Sequence, residues 1–221
     1  MMRFEGPLPE PFARSSVEQY WKGGEGYSCK LVGADGEARL LKVLDPDEES
    51  VEASLLLSLR HPRIPRLLEQ GRLATGAPYL LREWVQGAPL GDDFPWSEAR
   101  VLDLAVQLLE ILGYVHLRGL LHLDLKPANL LCDAEGRYHL LDFGLGGRKG
   151  TRSRSGTPFF AAPEQWSGGA LDRRTDLYSL GLLLVVALQP GILRSRAGGN
   201  PSGWDLQDLS RDLAVQSVLS D

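Results

Sequence analysis

Cysteine, lysine and asparagine are scarce in this chain. Of its 221 residues only two are cysteine, Cys29 and Cys132, and they fall in different halves of the sequence. Thiols so placed make no disulfide framework, so a reducing cytoplasm is the expected compartment. Long apolar runs are missing as well. The most apolar stretch, residues 180–188, is far short of a bilayer span and reads as a buried helix, so no membrane span is expected. Met1-Met2-Arg3 leads into a Pro-rich segment rather than an apolar run, and no signal peptide is expected. There is no excess of positive charge either. A net charge of −5 lacks the basic face of a general nucleic-acid binder. What remains, 43% hydrophobic and 24% charged, is an ordinary globular composition with room for one large domain or two small lobes.

Residues 1–16 combine prolines and glycines with few apolar residues, and are expected to be a loose lead-in. From Val17 the pattern alternates with period two. It predicts strands at 17–22, 27–32 and 38–44, joined by turns at Gly23-Gly24-Glu25-Gly26 and Ala34-Asp35-Gly36-Glu37. A glycine-rich hairpin can lay backbone N–H groups on phosphate oxygens because no side chain blocks the approach, although a lone pair of glycines equally makes a plain hairpin. An acidic segment, 45–50, opens a predicted helix over 51–59. Strands are predicted at 67–73 and 78–85. Ser97 is the expected N-cap of a long helix in which Val101, Leu102, Ala105, Leu108, Leu109, Leu112 and Val115 recur at spacings of three and four. A basic, glycine-punctuated segment at 146–156 suggests mobility. One more helix is predicted at 206–219.

Chemistry concentrates in His122-Leu123-Asp124-Leu125-Lys126-Pro127-Ala128-Asn129-Leu130-Leu131 and in Leu140-Leu141-Asp142-Phe143-Gly144. The turn Asp133-Ala134-Glu135-Gly136 folds the second stretch back beside the first. Asp124 and Asn129 then share a loop, with Asp142 on the turn after the next strand. That is a holder for one or two divalent metal ions beside a carboxylate free to accept a proton. Either tripeptide alone arises by chance. Their order and the 18-residue spacing from Asp124 to Asp142 make the combination specific.

At these positions the chain resembles the protein kinase family, with His122-Leu123-Asp124 in place of His-Arg-Asp. Gly156-Thr157-Pro158-Phe159-Phe160-Ala161-Ala162-Pro163-Glu164 resembles the segment that receives the substrate peptide, and separates protein kinases from small-molecule phosphotransferases. The likeness is to a compact, bacterial-type Ser/Thr kinase with a shortened C-lobe. It implies an α+β, bilobal fold. A small antiparallel N-lobe sheet with one main helix would cover 17–86, a mainly helical C-lobe 87–190, and an atypical tail 191–221.

The resemblance also implies roles. Lys42 would hold the α- and β-phosphates of ATP and be oriented by Glu52, the acid nine residues before His61 of the His-Pro-x-Ile turn. Gly24, Gly26, Leu31, Leu40 and Leu131 would line the nucleotide site, and backbone groups of Glu83 and Val85 would meet the adenine edge. Asn129 and Asp142 would bind Mg²⁺, with Mn²⁺ as the alternative. Asp124 would accept the proton of a Ser or Thr hydroxyl on a protein substrate, with Lys126 at the γ-phosphate and Thr157 facing the substrate. His122, Phe143, Glu164 and Asp176 would be structural, Asp176 by accepting backbone hydrogen bonds from the catalytic loop. Only five lysines and two asparagines occur in the chain, yet Lys42, Lys126 and Asn129 fall where those residue types are required. A guanidinium does not replace a compact ammonium at such sites.

The departures are specific. Leu123 replaces the arginine that often grips a phosphorylated activation segment, so phosphate on Thr151, Ser153 or Ser155 is expected to be dispensable. Leu40 stands where alanine is usual, and Arg82 where a mid-sized apolar residue is usual. Cys29 stands for the third loop glycine, where a thiol would be redox-sensitive unless the position merely tolerates a small residue. Glu164 lacks an obvious arginine partner, with Arg194, Arg196 and Arg211 as the candidates. These departures keep a second reading open, a pseudokinase or kinase-like binding module. A small-molecule kinase is a distant third.

Overall fold

The period-two segments pair into one antiparallel sheet. A computed structural model describes residues 11–23, 26–45, 50–91, 93–152 and 155–190. β1 (Ser16–Gly23), β2 (Gly26–Val32), β3 (Ala38–Leu44), β4 (Leu67–Arg72) and β5 (Pro78–Glu83) line up in the order β1-β2-β3-β5-β4. Register fixes the faces. Cys29 pairs with Leu41 and Lys30 with Leu40 across β2–β3, while Arg82 lies opposite Leu40 across β3–β5. Paired residues share a face of the sheet, so Lys30, Leu40, Lys42 and Arg82 point one way and Cys29, Leu31, Leu41 and Val43 the other.

Between β3 and β4, α1 (Val51–Leu56) is capped by Ser50, whose Oγ accepts from Ala53 N at 3.1 Å. It ends before the expected residue 59. Ser58 N bonds Leu55 O and Leu59 N bonds Leu56 O, so the last turn tightens to an i→i+3 pattern. Pro62 follows within three residues and disfavours helix at His61. β5 likewise stops at Glu83, because 84–87 leaves the sheet as the connection to the second half.

That half begins with β6 (Ala88–Pro89) and α2 (Glu98–His116), N-capped by Ser97. The face of α2 differs from the expected stripe. Leu104 and Ile111 are buried with Val101, Leu108, Leu112 and Val115, whereas Leu102 and Leu109 are exposed. The helix therefore presents positions 101, 104, 108, 111, 112 and 115 to the core, a face turned by a fraction of a residue step. β7 (Leu120–Leu121) enters the loop that carries Asp124, a 3₁₀ turn spans Pro127–Asn129, and the β8 (Leu130–Cys132) and β9 (Tyr138–Leu140) hairpin follows, with Asp133 at its turn. β10 (Gly147–Arg148) pairs back onto β7. α3 (Pro163–Ser167) and α4 (Arg173–Leu188) complete the described chain, α4 being capped by Asp172. The predicted helix at 206–219 and the tail 191–221 lie outside the described residues.

Apolar side chains of α1 (Ala53, Leu55, Leu56), α2, β8, β9 and α4 form one continuous core that includes Phe143. A second cluster covers the outer face of the sheet with Cys29, Leu31, Leu41, Val43, Tyr79 and Leu81. Phe12, in the stretch expected to be a loose lead-in, is buried there and meets the Tyr79 ring edge-on at 5.0 Å. Burial of an aromatic ring outweighs the turn-forming residues around it. No helix among the described residues is long and apolar enough to cross a membrane.

Candidate active site

Lys42 reaches into the cleft from β3. Its Nζ lies 2.9 Å from Glu52 Oε2 and 3.1 Å from Asp142 Oδ1. Among the described residues Glu52 is thus the acid of α1 that meets it. Glu48 and Glu49 lie outside the described residues. The other oxygen of Glu52, Oε1, accepts from Arg82 Nη1. Glu52 is 2% exposed and Arg82 5%, and among the described residues Arg82 Nε has no partner. An unmet buried donor costs about 1–3 kcal/mol, so this arginine is held at some expense to the fold. Burial opposes the charge on Lys42, yet the Glu52 and Asp142 carboxylates prevail and hold its pKa above the ordinary lysine value. Burial likewise works against the Asp142 carboxylate, but Lys42 and then Arg82 hold its pKa below the usual carboxylate range.

A second constellation is built on the catalytic loop. Asp124 Oδ1 accepts from Thr157 Oγ1 at 2.6 Å, while Oδ2 lies 2.7 Å from Lys126 Nζ and accepts from Asn129 Nδ2 at 2.9 Å. Lys126 also donates to Thr157 Oγ1 at 2.7 Å. The loop is braced from behind. Asp176 at the start of α4 accepts from Leu123 N at 2.8 Å and from His122 N at 3.0 Å. Its Oδ2 also lies 2.7 Å from His116 Nε2, and because a carboxylate only accepts, that nitrogen carries the proton. His122 packs on Phe143 at 4.7 Å, and its Nε2 lies 2.7 Å from Leu141 O. Leu123 and Asp142 hold positive φ values of 65° and 52°, as does Phe159 at 77°. Such conformations persist only where surrounding contacts over-determine them, and they gather at functional sites.

Between sheet and loop lies a cavity of about 500 Å³, bordered by Leu40, Arg82, residues 83–87 and Leu131. Among the walls that sequence reasoning missed are Trp21, Lys30, Trp84 and Leu141. Trp21 stacks on Trp84 at 6.2 Å, and Lys30 Nζ lies 4.9 Å from the Trp84 ring centroid. Period-two counting from Lys42 and Leu40 across the hairpin would have found Lys30. The Glu83 carboxylate is engaged by Arg66, whose Nε lies 3.2 Å from Oε1. Val85 N–H has no backbone partner among the described residues.

Two expectations are corrected. Leu31 does not line the cavity: it pairs with Arg39 and is buried at 2% in the outer cluster, because one step along a strand inverts the face. Cys29 faces the same outer cluster rather than a phosphate roof, and burial pushes its thiol up to about 11. Gly24 lies outside the described residues. Gly26, at φ 134°, closes the hairpin end against β3, where an added Cβ would lie 2.1 Å from Val43 O.

Beyond Asp142, Phe143 is fully buried. Gly146 passes so close to α1 that a Cβ there would meet Leu55 Cδ1 at 2.5 Å. Leu123, in place of arginine, forms an apolar cluster with Leu121 and Leu171. A further missed residue, Gln165, is buried and donates from Nε2 to Leu123 O and to Ser155 O, both at 2.9 Å, tying the activation segment to the catalytic loop. Glu164 accepts from Thr175 Oγ1 at 2.8 Å, and among the described residues no arginine pairs with it. Arg194, Arg196 and Arg211 lie outside the described residues.

Asn129 spends its amide nitrogen on Asp124, and Asp142 spends Oδ1 on Lys42 and Gly144 N. Among the described residues Asn129 Oδ1 and Asp142 Oδ2 are therefore the spare oxygens, hard donors of the kind Mg²⁺ prefers. Among the described residues no cluster of three or more His, Cys, Asp or Glu could hold a metal alone. A divalent ion here would complete its shell with water and ligand oxygens, as it does in sites built around phosphates.

The protein kinase domain family model matches residues 22–200 of this chain. The serine/threonine-protein kinase PknB of Mycobacterium leprae is 32% identical over 151 residues, covering 62% of this chain and 24% of that protein. The DNA damage-responsive serine/threonine-protein kinase RqkA of Deinococcus radiodurans is 37% identical over 185 residues, 73% of this chain and 28% of the relative. A probable serine/threonine-protein kinase of Streptomyces coelicolor is 32% identical over 185 residues, 76% and 27% respectively. The chain thus spans about a quarter of the length of these relatives. With the family model covering most of the sequence, and a five-stranded sheet joined by 84–87 to a helical half, the chain belongs to the protein kinase domain family and has its bilobal fold.

Proposed function

We propose that this chain transfers the γ-phosphate of ATP to a serine or threonine hydroxyl of a protein substrate. The observation that carries the proposal is the Asp124 carboxylate, which already receives a hydroxyl at 2.6 Å while Lys126 and Asn129 hold its other oxygen. A substrate hydroxyl arriving there meets an acceptor for its proton, and Lys126 supplies positive charge beside the entering phosphoryl group. Catalysis of this kind is mostly positioning and charge neutralisation. Across the cleft, Lys42 is the charged, oriented ammonium for the α- and β-phosphates, and Glu52 aims it. The cavity at 83–87 takes the base, with Leu40 above, Leu131 below, and at its edge the Val85 N–H, which has no backbone partner among the described residues. Asn129 and Asp142 are the residues that would hold Mg²⁺, which when bound neutralises phosphate charge. Thr157, bridging Lys126 and Asp124, favours an aliphatic hydroxyl over a phenol. A reducing cytoplasm fits the two free cysteines.

The test is transfer of labelled phosphate from ATP to a generic acceptor protein in the presence of Mg²⁺. Wild type is compared with Asp124→Asn and Lys42→Met variants shown to be folded by circular dichroism. Transfer by wild type and its loss in both variants is the expected result. Nucleotide binding with no transfer under any metal would replace this reading with a binding module.

A further inference from the structure

Glu52 is buried between two cations, and they differ in how freely they can leave. Lys42 is shared. It already divides itself between Glu52 and Asp142, and a triphosphate would add further oxygens. Among the described residues Arg82 hydrogen-bonds Glu52 alone: its Nη1 bonds Glu52 Oε1, its Nε has no partner, and its side chain is enclosed, although its charge also reaches Asp142. It also stands on rigid ground, on β5 between β3 and β4, opposite Leu40 and Leu67. Glu52 does not. It is the second residue of a six-residue helix, too short to be stable by itself, so its place depends on tertiary contacts.

We propose that Arg82 is a positioning residue for phosphoryl transfer, holding Glu52 and α1 inward whether or not Lys42 is engaged with nucleotide. This rests on the kinase reading of the cleft. A guanidinium stays charged at any working pH, so the buried carboxylate remains compensated when Lys42 turns toward phosphate. Breaking a buried ion pair is costly chiefly because it strands the remaining charge. Losing either cation leaves Glu52 one partner. Losing both strands it, and α1 then has no polar reason to stay. The two cations therefore act non-additively on α1, and the cleft is assembled before nucleotide arrives.

The experiment measures hydrogen exchange of the backbone amides at 51–59 in the nucleotide-free full chain. Wild type is set beside Lys42→Met, Arg82→Met and the double variant, with kcat and KM for ATP determined for the singles. With charged hydrogen bonds at their usual strength, each single substitution speeds exchange by less than about tenfold and the double by more than about a hundredfold. Arg82→Met lowers kcat about tenfold with KM for ATP within about twofold, and Arg82→Lys recovers most of the loss. Exchange in the double variant no faster than the product of the singles overturns the proposal, as does an Arg82→Met effect confined to KM. Should the double variant not fold, Glu52→Gln replaces it: with the carboxylate's charge gone Arg82 has nothing to hold inward, so adding Arg82→Met does not speed exchange, and a further speeding of more than about twofold overturns the idea. If wild type transfers no phosphate, the kinase reading fails while the exchange cycle is still decided by itself.

Discussion

Asparagine at position 176 would keep the shape of a fully buried carboxylate and remove its charge. Asp176, at 0% exposure, accepts from Leu123 N, His122 N and His116 Nε2. Asparagine offers one oxygen, and its amide nitrogen would face a donor. At least one buried N–H loses its acceptor, at about 1–3 kcal/mol, and the surviving bonds lose their charge assistance, worth about 1 kcal/mol more. Leu123 adds to the effect. Its left-handed conformation costs about 1–2 kcal/mol for an L-residue, and it is held by Asp176 on one side and by Gln165 Nε2 on its carbonyl at 2.9 Å. A loss of about 2–4 kcal/mol follows, which for a chain of this size lowers Tm by roughly 5–12 °C. Because Leu123 adjoins Asp124, kcat should fall at least tenfold, with KM for ATP changed far less. Melting followed by circular dichroism, paired with phosphate transfer well below the variant's Tm, measures both. A Tm within about 2 °C of wild type together with unchanged kcat would refute the bracing role of Asp176.

Three further outcomes are expected. Replacing Thr151, Ser153 and Ser155 together by alanine should leave kcat within about twofold, since Leu123 packs with Leu121 and Leu171 and offers no cation to a phosphate; an inert triple variant beside an active wild type would contradict this. Peroxide should inactivate wild type and Cys29→Ser at the same rate, because the buried Cys29 thiol, pushed up to about 11, has almost no thiolate at neutral pH. Protection by the serine would show the reverse. Asp142 has a folded-state pKa below its ordinary 3.8, so its contribution to stability is present above that value and lost as pH falls through the lowered one. Its side chain is 41% exposed, so the effect is modest. Urea melts from pH 5 downward should show wild type losing more stability than Asp142→Asn, and parallel losses would remove the argument.

Much of the catalytic loop was legible because its residues are close in sequence. Asp124, Lys126 and Asn129 meet through a loop of six residues, and the turn at Asp133 is encoded by its own side chain, which caps two backbone N–H groups. The strands were legible from alternation, but their faces were less so. Leu31 was placed at the nucleotide site by the resemblance, whereas the register against Leu40 and Lys42 puts it on the other face. Long-range partners were the least visible. Arg82 stood out as an unusual residue, yet nothing in its neighbourhood announces a bond to Glu52, thirty positions earlier. Gln165, hidden after an Ala-Pro-Glu triplet, gave no signal at all. The face of α2 was misjudged at Leu102 and Leu109, since a helix rich in leucine has several apolar stripes and tertiary packing chooses among them.

The shared interior described above also bears on how the molecule comes apart. Leu55 and Leu56 of the small lobe lie in the same apolar mass as Phe143, Leu108 and Leu183 of the large one. A polypeptide cut at 84–87 would uncover that seam on both fragments, leaving two oily surfaces in water. The halves should therefore melt in one calorimetric transition, and neither should be recoverable as a well-behaved fragment without the other.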